Sequence, residues 1–165
     1  MNKKILSIFV MVMALSLLGV SCNKKTTDPT NGGSSTTQNK NITSITPSAG
    51  TDTSSPLDFN NATANTAVNK PLTFTIVPDG IKNLKYTIKS VEKDSGDTDS
   101  NNADAVLTKD HFSYDGAQLT ISGDGATKID GLGNGKYNQV IVTITVSGDG
   151  YNPKDVQVYI KFAKA

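Results

Sequence analysis

The residues best suited to chemistry in this sequence lie in an acidic stretch that follows Lys93. Its candidate metal ligands are Asp97, Asp99, Asn101 and Asp104. Carboxylate and amide oxygens at this spacing on one short loop are ligands that Ca²⁺ favours. The pattern departs from an EF loop, because Thr108 stands where a bidentate Glu would be required and no flanking helices are expected. The stretch therefore predicts either a weak calcium site or a solvated acidic insertion, and the missing Glu favours the insertion.

Catalysis by a nucleophilic triad needs a histidine held between a hydroxyl and a carboxylate, and His111 is the only histidine of the chain. Asp110 and Ser113 are close in sequence, but the alternation around Phe112 predicts a strand edge with an exposed imidazole. Hydrolysis by paired carboxylates has no better support, because no two Asp are expected on one core-lined cleft. The sequence predicts a protein without enzymatic activity and without a cofactor.

Glycine-rich segments could also cradle a phosphate. Gly131–Gly135 has the glycines, but a strand is expected behind it instead of a helix, and no Lys-Ser or Lys-Thr pair follows. The segments Ser122–Gly125 and Ser147–Gly150 both read Ser-Gly-Asp-Gly, and each follows an expected strand. All three segments are therefore predicted to be loops or turns.

Two tyrosines are candidates for stacking on sugar rings. Tyr159 is expected to point away from the apolar row that begins at Val156, and Tyr151 is expected in a turn. An exposed aromatic ring with a polar tip suits a carbohydrate. Because the chain has no Trp, these two residues carry the prediction of a glycan site, and ordinary surface tyrosines are the alternative.

The composition excludes several other partners. The chain has 165 residues and a formal net charge of +1, and all of its 16 basic residues other than His are Lys. Without Arg it lacks the planar fork that binds phosphates with two hydrogen bonds, so nucleic-acid binding is not expected. A single cysteine, Cys22, excludes an intramolecular disulfide, so packing alone must hold the fold.

The amino terminus has the three zones of a secretory signal. Lys3 and Lys4 precede an apolar run over Ile5–Val20, and small residues end it at Cys22. The segment Leu18-Gly-Val-Ser-Cys22 resembles the lipobox of bacterial lipoproteins, although that family prefers Leu where Gly19 stands. The resemblance implies cleavage after residue 21, attachment of acyl chains such as palmitate to Cys22, and a mature protein on a membrane outside the cytoplasm, at the bacterial outer membrane or cell surface. The alternatives are an uncleaved anchor helix and a plain secretory signal.

A polar segment follows the signal. Of the 34 residues in Asn23–Pro56, 25 are Ser, Thr, Asn, Gly or Pro, too polar a stretch to offset its ordering entropy by burial. Residues 22–65 are therefore predicted to form the lipidated terminus and a flexible linker. The competing interpretation makes Ile42–Thr46 a short first strand.

From about residue 66 the hydrophobic pattern has a period of two, which predicts strands with one buried face. The clearest rows begin at Val140 and at Val156, and Asp115-Gly116 predicts a tight hairpin between two shorter strands. No ten-residue window shows a helical period. The fold class is therefore predicted to be all-β, an antiparallel sandwich of six or seven strands without a helix.

Four runs in this region are similar to the bacterial immunoglobulin-like (cadherin-like) modules of cell-surface proteins. They are Lys70-Pro-Leu-Thr-Phe-Thr, Leu84-Lys-Tyr-Thr-Ile, Phe112-Ser-Tyr-Asp-Gly-Ala-Gln-Leu-Thr-Ile-Ser-Gly and Gly135-Lys-Tyr-Asn-Gln-Val-Ile-Val-Thr-Ile-Thr-Val. The resemblance implies an immunoglobulin-like β-sandwich over residues 66–165, with Tyr137 in the place of a tyrosine corner. The acidic insertion and the segment Gly123–Gly135 depart from it.

These inferences favour a non-enzymatic lipoprotein, anchored through Cys22, that presents a binding or structural module to an unknown protein or glycan. The alternative is a glycan-binding accessory lipoprotein of a polysaccharide-uptake system.

Overall fold

The computed structural model describes residues 39–163 except for residues 61, 97–106 and 133–136. The chain divides into two units after Thr36, and every described residue belongs to the second unit. None of the described helices is long and apolar enough to cross a lipid bilayer.

Strands dominate the described residues, as the two-residue period predicts. They are β1 (Lys40–Asn41), β2 (Ser44–Pro47), β3 (Leu57–Asp58), β4 (Val68–Pro71), β5 (Phe74–Val77), β6 (Lys85–Lys93), β7 (Phe112–Tyr114), β8 (Gln118–Ile121), β9 (Tyr137–Gly148) and β10 (Tyr151–Ala163). One α-helix, α1 (Gly123–Asp130), follows β8, and a short 3-10 turn, Lys109–His111, precedes β7. The all-β class is confirmed.

The strands form three sheets, and the largest is built on the two longest strands. β9 pairs with β10 and with β6 in antiparallel fashion, while the short strands β1 and β3 pair with β10 in parallel. The two smaller sheets have the orders β2-β5 and β4-β8-β7, both antiparallel. β4 belongs to the three-stranded sheet and β5 to the two-stranded sheet. Only two residues separate these strands, so the chain passes directly from one small sheet to the other.

The core lies against the inner face of the β10-β9-β6 sheet. The residues of the two predicted apolar rows are buried, namely Val140, Val142, Ile144, Val146, Val156, Val158, Ile160 and Phe162. Val142 of β9 lies directly opposite Val158 of β10, and Val140 lies opposite Ile160. Because side chains alternate across a strand, these rows place the polar residues between them on the other face of the sheet. The predicted facing of both strands is confirmed.

Truncation of the centre of either row is expected to destabilise the protein. Val142 and Ile160 are both 0% exposed, so replacing either with alanine removes methyl groups from a closed core and should cost about 1 to 4 kcal/mol of unfolding free energy. Urea melts measure the change. Val77→Ala, at a position that is 45% exposed, is the matched control, and equal midpoints for all three variants would contradict the assignment.

The segment between residues 39 and 59 corrects the predicted linker, which was expected to reach residue 65. This segment forms β1, β2 and β3 and contributes Ile42 and Phe59 to the core, with exposures of 4% and 0%. Its polar residues do not need a core of their own, because its backbone pairs with β5 and β10. The N–H of Thr43 donates to the carbonyl of Val77 at 2.7 Å, and the N–H of Phe59 donates to that of Lys161 at 2.7 Å.

The helix α1 corrects the expectation of a fold without helices, and Ser122–Gly125 begins that helix instead of forming a turn. The Ser122 hydroxyl accepts a hydrogen bond from the Gly125 N–H at 3.2 Å, as an N-cap residue does. Ala126 and Ile129 are the buried apolar side chains of α1, and two such residues are too few to mark a period in the sequence. Ser147–Gly150 forms the predicted turn between β9 and β10, with Gly150 at φ 74°.

The predicted hairpin between β7 and β8 is confirmed. Asp115 stabilises its turn by accepting hydrogen bonds from the N–H groups of Ala117 and Gln118, at 2.8 and 2.7 Å, and these bonds lower the pKa of its carboxyl. Gly116 has φ 100°, a conformation that side chains rarely adopt. The side chain of Tyr137, the predicted corner tyrosine, lies outside the described residues.

Three aromatic rings pack where β6 faces the β7-β8 hairpin. The Tyr86 and Tyr114 rings meet edge to face with centroids 4.9 Å apart, and the Phe74 ring lies 5.1 Å from that of Tyr114. The Tyr114 hydroxyl donates to the Leu72 carbonyl at 2.9 Å. Burial, together with the neighbouring Tyr86 and Asp115, raises the pKa of Tyr114 to about 12. This cluster packs β6 against the β7-β8 hairpin, so its tyrosines serve as packing residues.

Candidate functional site

The outer face of the β6-β9-β10 sheet carries the residues that alternate with the core rows. The strand register arranges them in three rows across the sheet, Thr87-Thr145-Asp155, Ser90-Thr143-Gln157 and Glu92-Ile141-Tyr159. Residues in the same row lie side by side on neighbouring strands, about 5 Å apart. Hydroxyl, amide and carboxylate groups from three different strands are thereby brought onto one surface.

A β-bulge in β6 adds a charged side chain to this surface. The register between β6 and β9 shifts between Ile88 and Ser90, so Lys89 has no partner of its own on β9. A bulge inserts one extra residue and changes the direction of the side chains around it. Lys89 therefore lies beside Ser90 at the edge of the same face, where strict alternation would have separated them.

These residues line a groove of about 650 Å³, within the range of roughly 300 to 1,000 Å³ that is typical of small-molecule sites. The floor comes from β6, β9 and β10, and the far end comes from β2 and the residues after it. The lining residues are Ile45, Pro47, Thr51, Lys89, Ser90, Glu92, Thr143, Asp155, Val156, Gln157 and Tyr159. We call this feature the sheet-face groove.

Gly50 fixes the end of the sheet-face groove next to Tyr159. Its carbonyl accepts the Tyr159 N–H at 2.9 Å, and its φ is +68°. A Cβ at this position would lie 2.7 Å from the Tyr159 carbonyl oxygen, closer than real contacts allow. A glycine is therefore required where the segment after β2 passes over β10.

An ion pair occupies one end of the groove. The Lys89 Nζ donates to Asp155 Oδ2, and the Thr145 hydroxyl donates to Asp155 Oδ1 at 2.7 Å. These two hydrogen bonds, the one from Lys89 first, lower the pKa of the Asp155 carboxyl. Lys89 is therefore already neutralised by a neighbouring carboxylate before any ligand arrives.

The middle of the groove offers polar groups that are not engaged by the protein. Within the described part of the chain, the side chains of Gln157 and Thr143 make no hydrogen bond. Glu92 accepts one hydrogen bond, from the Ser90 hydroxyl at 3.1 Å. The groove thus presents an amide with two donors and one acceptor, a free hydroxyl and a carboxylate with remaining acceptor capacity.

The two carboxylates of the groove are too far apart for hydrolysis by a carboxylate pair. Glu92 shares its row with Tyr159, which is four residues from Asp155 along β10. Four residues along a strand and two strand spacings across the sheet give a separation of roughly 16 Å between their backbone positions. Glycosidase carboxyl groups are about 5 to 9.5 Å apart, so these two residues do not form such a pair.

Tyr159 and Tyr151, the predicted glycan-binding residues, are not brought together. Tyr159 is half-buried and lines the sheet-face groove, while Tyr151 is half-buried at the start of β10 and packs against the core. Eight residues of strand separate them, a span of about 26 Å. Tyr151 is the first residue of β10 and not a turn residue as predicted, and both side chains are half-buried where exposure was expected.

The predicted ligands Asp97, Asp99, Asn101 and Asp104 lie outside the described residues. The base of their stretch is described, and there Asp94 is buried at 3% exposure. Its carboxylate accepts hydrogen bonds from the Thr53 hydroxyl at 2.8 Å, the Gly96 N–H at 2.8 Å and the Gln139 amide at 3.2 Å. These hydrogen bonds join the segment after β2 to β6 and β9.

Among the residues that are described, no group of three or more His, Cys, Asp or Glu could hold a metal ion.

Calcium is expected to have little effect on folding, because the acidic stretch lacks the bidentate Glu of a strong loop site. A ligand that binds only the folded state must raise the melting temperature. Thermal melts in chelator and in millimolar calcium should therefore nearly coincide. A large upward shift with calcium that Asp99→Ala abolishes, and that the control Asp79→Ala does not, would contradict this prediction.

The expectation that His111 has an exposed imidazole at a strand edge is wrong. It is half-buried at the end of the 3-10 turn, and its Nδ1 accepts the Thr108 N–H at 2.9 Å. This hydrogen bond ties the imidazole to the backbone that enters β7, which is a structural use of the ring. Residues 133–135 of the segment Gly131–Gly135 lie outside the described residues.

The sequence identified Tyr159 but missed most of the groove. Lys89, Thr143, Asp155 and Gln157 belong to strands whose alternation was recognised, so their common face could have been derived once the strands were paired. The pairing itself and the bulge at Lys89 have no signal in the sequence. No protein-family model matches the chain, and no curated protein matches it significantly.

Proposed function

We propose that the protein is a non-enzymatic lipoprotein, anchored outside the cytoplasm through acyl chains on Cys22, that presents an immunoglobulin-like sandwich as a binding or structural module. The strand order is the observation that carries the module. β2, the β5-β4 run, β8 and β7 follow the order A-B-E-D of an immunoglobulin-like sandwich, and β10, β9 and β6 follow the order G-F-C. Greek-key connections of this kind support the resemblance found in the sequence.

The non-enzymatic part of the proposal is supported by the arrangement of the reactive groups. Glu92 and Asp155 lie too far apart to act as a carboxylate pair, and Nδ1 of His111 is occupied by the Thr108 N–H. A catalytic base must reach the proton that it removes. His111 does not line the sheet-face groove, and the two carboxylates that do are too far apart to act together.

The anchoring part rests on the amino-terminal sequence. Lys3 and Lys4, the apolar run Ile5–Val20 and the small residues before Cys22 have the order of a lipoprotein signal. Several acyl chains on one residue give stable attachment, because each buried methylene contributes about 0.8 kcal/mol. The first described strand begins at Lys40, so at most 17 residues, Asn23 to Asn39, separate it in sequence from the proposed anchor.

Cell fractionation and protease treatment test the location. The full-length chain should sediment with membranes in a bacterial host and should be digested by protease added from outside, either to intact cells or after the outer membrane is opened. A cytoplasmic protein of the same size is the control for cell integrity. Recovery of the intact chain from the soluble cytoplasm would refute the proposal.

The sheet-face groove favours a second function, that of a glycan-binding accessory lipoprotein of a polysaccharide-uptake system. It combines an aromatic side chain, Tyr159, with a free amide and hydroxyl on a rigid three-strand floor. Sugars are bound in this way, with ring faces on aromatic side chains and hydroxyls on polar groups. Tyr159 carries this function alone, since Tyr151 lies at the other end of β10.

A further inference from the structure

We propose that the sheet-face groove binds an uncharged glycan and discriminates against uronate or sulfated chains. This inference rests on the glycan-binding function proposed above and names its ligand class. In the complex, the Tyr159 ring lies against a sugar face, while Gln157 and Thr143 hydrogen-bond to sugar hydroxyls in the middle of the groove.

The charges of the groove carry the discrimination. Its charged side chains are Lys89, Glu92 and Asp155, so its formal charge is negative by one. Lys89 is the single cation among the lining residues, and Asp155 already pairs with it. An anionic sugar would therefore meet Glu92 without a free cation to offset the repulsion, and like charges at a binding site act as a specificity element.

The hydrogen-bonding groups suit hydroxyls instead of anions. Gln157 offers both donors and an acceptor, and Thr143 offers one hydroxyl that can do either. A sugar hydroxyl also donates and accepts, so these two residues can satisfy both its donor and its acceptor. Recognition of a carboxylate or sulfate is usually bidentate and uses Arg, which the chain lacks. Glu92 can accept from a sugar hydroxyl but can only repel an anion.

The floor of the groove favours a chain of several sugars over a single small molecule. It crosses three strands from β6 to β10 and lies on a sheet face, where strand pairing holds the backbone in place. Rigid placement of the contact groups lowers the ordering cost of binding. An unbranched polysaccharide can lie across such a surface.

Affinity electrophoresis of the full-length chain in mild detergent tests the inference. The gels contain an uncharged α-glucan, β-glucan, mannan or xylan, or polygalacturonate as the anionic polymer. An uncharged polymer should retard the wild-type chain, and polygalacturonate should not. Tyr159→Ala and Gln157→Ala should each weaken the retardation about three- to tenfold, as expected for the loss of one aromatic or hydrogen-bonded contact. Lys85→Ala, which removes an exposed β6 residue outside the groove, is the matched control.

The charge argument has its own variant. Asp155→Asn keeps the shape of the side chain but releases Lys89 from its ion pair, so retardation by polygalacturonate should appear in this variant. The Gln157→Ala variant tests the site without disturbing the fold, because Gln157 is exposed and makes no hydrogen bond within the described chain.

The outcomes separate the ligand class from the function. Equal retardation of the wild-type chain by polygalacturonate would overturn the uncharged class but leave glycan binding standing. Retardation by an uncharged polymer that neither Gln157→Ala nor Tyr159→Ala reduces would remove the sheet-face groove from the function. No retardation by any of the five polymers would overturn the glycan-binding function itself.

Discussion

Replacing Phe59 with alanine is expected to lower the free energy of unfolding by about 3 to 5 kcal/mol, the usual cost of removing a buried aromatic ring. Phe59 is 0% exposed, although it lies in a segment whose composition predicts a linker. Its backbone N–H would keep the bond to the Lys161 carbonyl, so the substitution removes packing and leaves the pairing of β3 in place. Urea denaturation of the full-length chain, followed by circular dichroism, measures the loss.

The same experiment decides where the folded part begins. If residues 39–59 were a linker, Phe59→Ala would leave the urea midpoint unchanged. The control Asn60→Ala alters the exposed neighbouring position and should change the midpoint by less than about 0.5 kcal/mol in equivalent free energy. A Phe59→Ala variant that melts like this control would contradict the assignment of the segment to the core.

Replacing Cys22 with alanine is expected to abolish lipid attachment completely, because Cys22 is the single thiol of the chain and acylation needs a thiol as the nucleophile. Cells grown with an alkyne-labelled fatty acid should label the wild-type chain and should not label Cys22→Ala. The mature wild-type chain should also enter the detergent phase in a partition assay.

Ser16→Ala is the control for the labelling experiment, since it changes the apolar run without touching the cleavage region. It should be labelled as the wild type is. Label that persists in Cys22→Ala would place the acyl group elsewhere, and an unlabelled wild-type chain that retains residues 1–21 would identify an uncleaved anchor helix. Either result would refute lipidation at Cys22.

The sequence predicted the long strands correctly because their signal is local. β9 and β10 carry four inward apolar residues each at alternate positions, and a run of that length has one interpretation. The turn between them was equally readable, since Gly150 provides the positive φ that the turn requires. The facing of Val142 and Ile160 followed directly from these patterns.

The sequence failed where the determining contacts are distant. β1 pairs with residues of β10 that follow it by 111 positions, as in Lys40 with Tyr151, and a composition rich in Ser and Thr conceals that pairing. The helix α1 has two buried apolar side chains, too few for a period. The prediction of a linker over residues 39–59 and the prediction of a fold without helices were therefore wrong for the same reason, namely that neighbouring strands stabilise segments with little hydrophobic content of their own.

The candidate site was predictable in part. Tyr159 could be placed on the outer face because its strand alternates strictly. Its neighbours in the groove come from β6, β9 and the segment after β2, and their proximity depends on register and on the bulge at Lys89. A one-residue change of register would have moved every one of these side chains to the other face.

The bulge in β6 also bears on how copies of the protein behave when they are crowded. β6 is the last strand of its sheet among the described residues, and an open strand edge is a template for pairing with another molecule. Lys85 is an exposed cation on this strand, and the bulge at Lys89 interrupts the regular spacing of its hydrogen-bonding groups. Two copies that met edge to edge would have to pair their backbones across this interruption. Copies of the protein at high local concentration, as under the proposed anchoring, would therefore be expected to remain separate instead of growing into fibres.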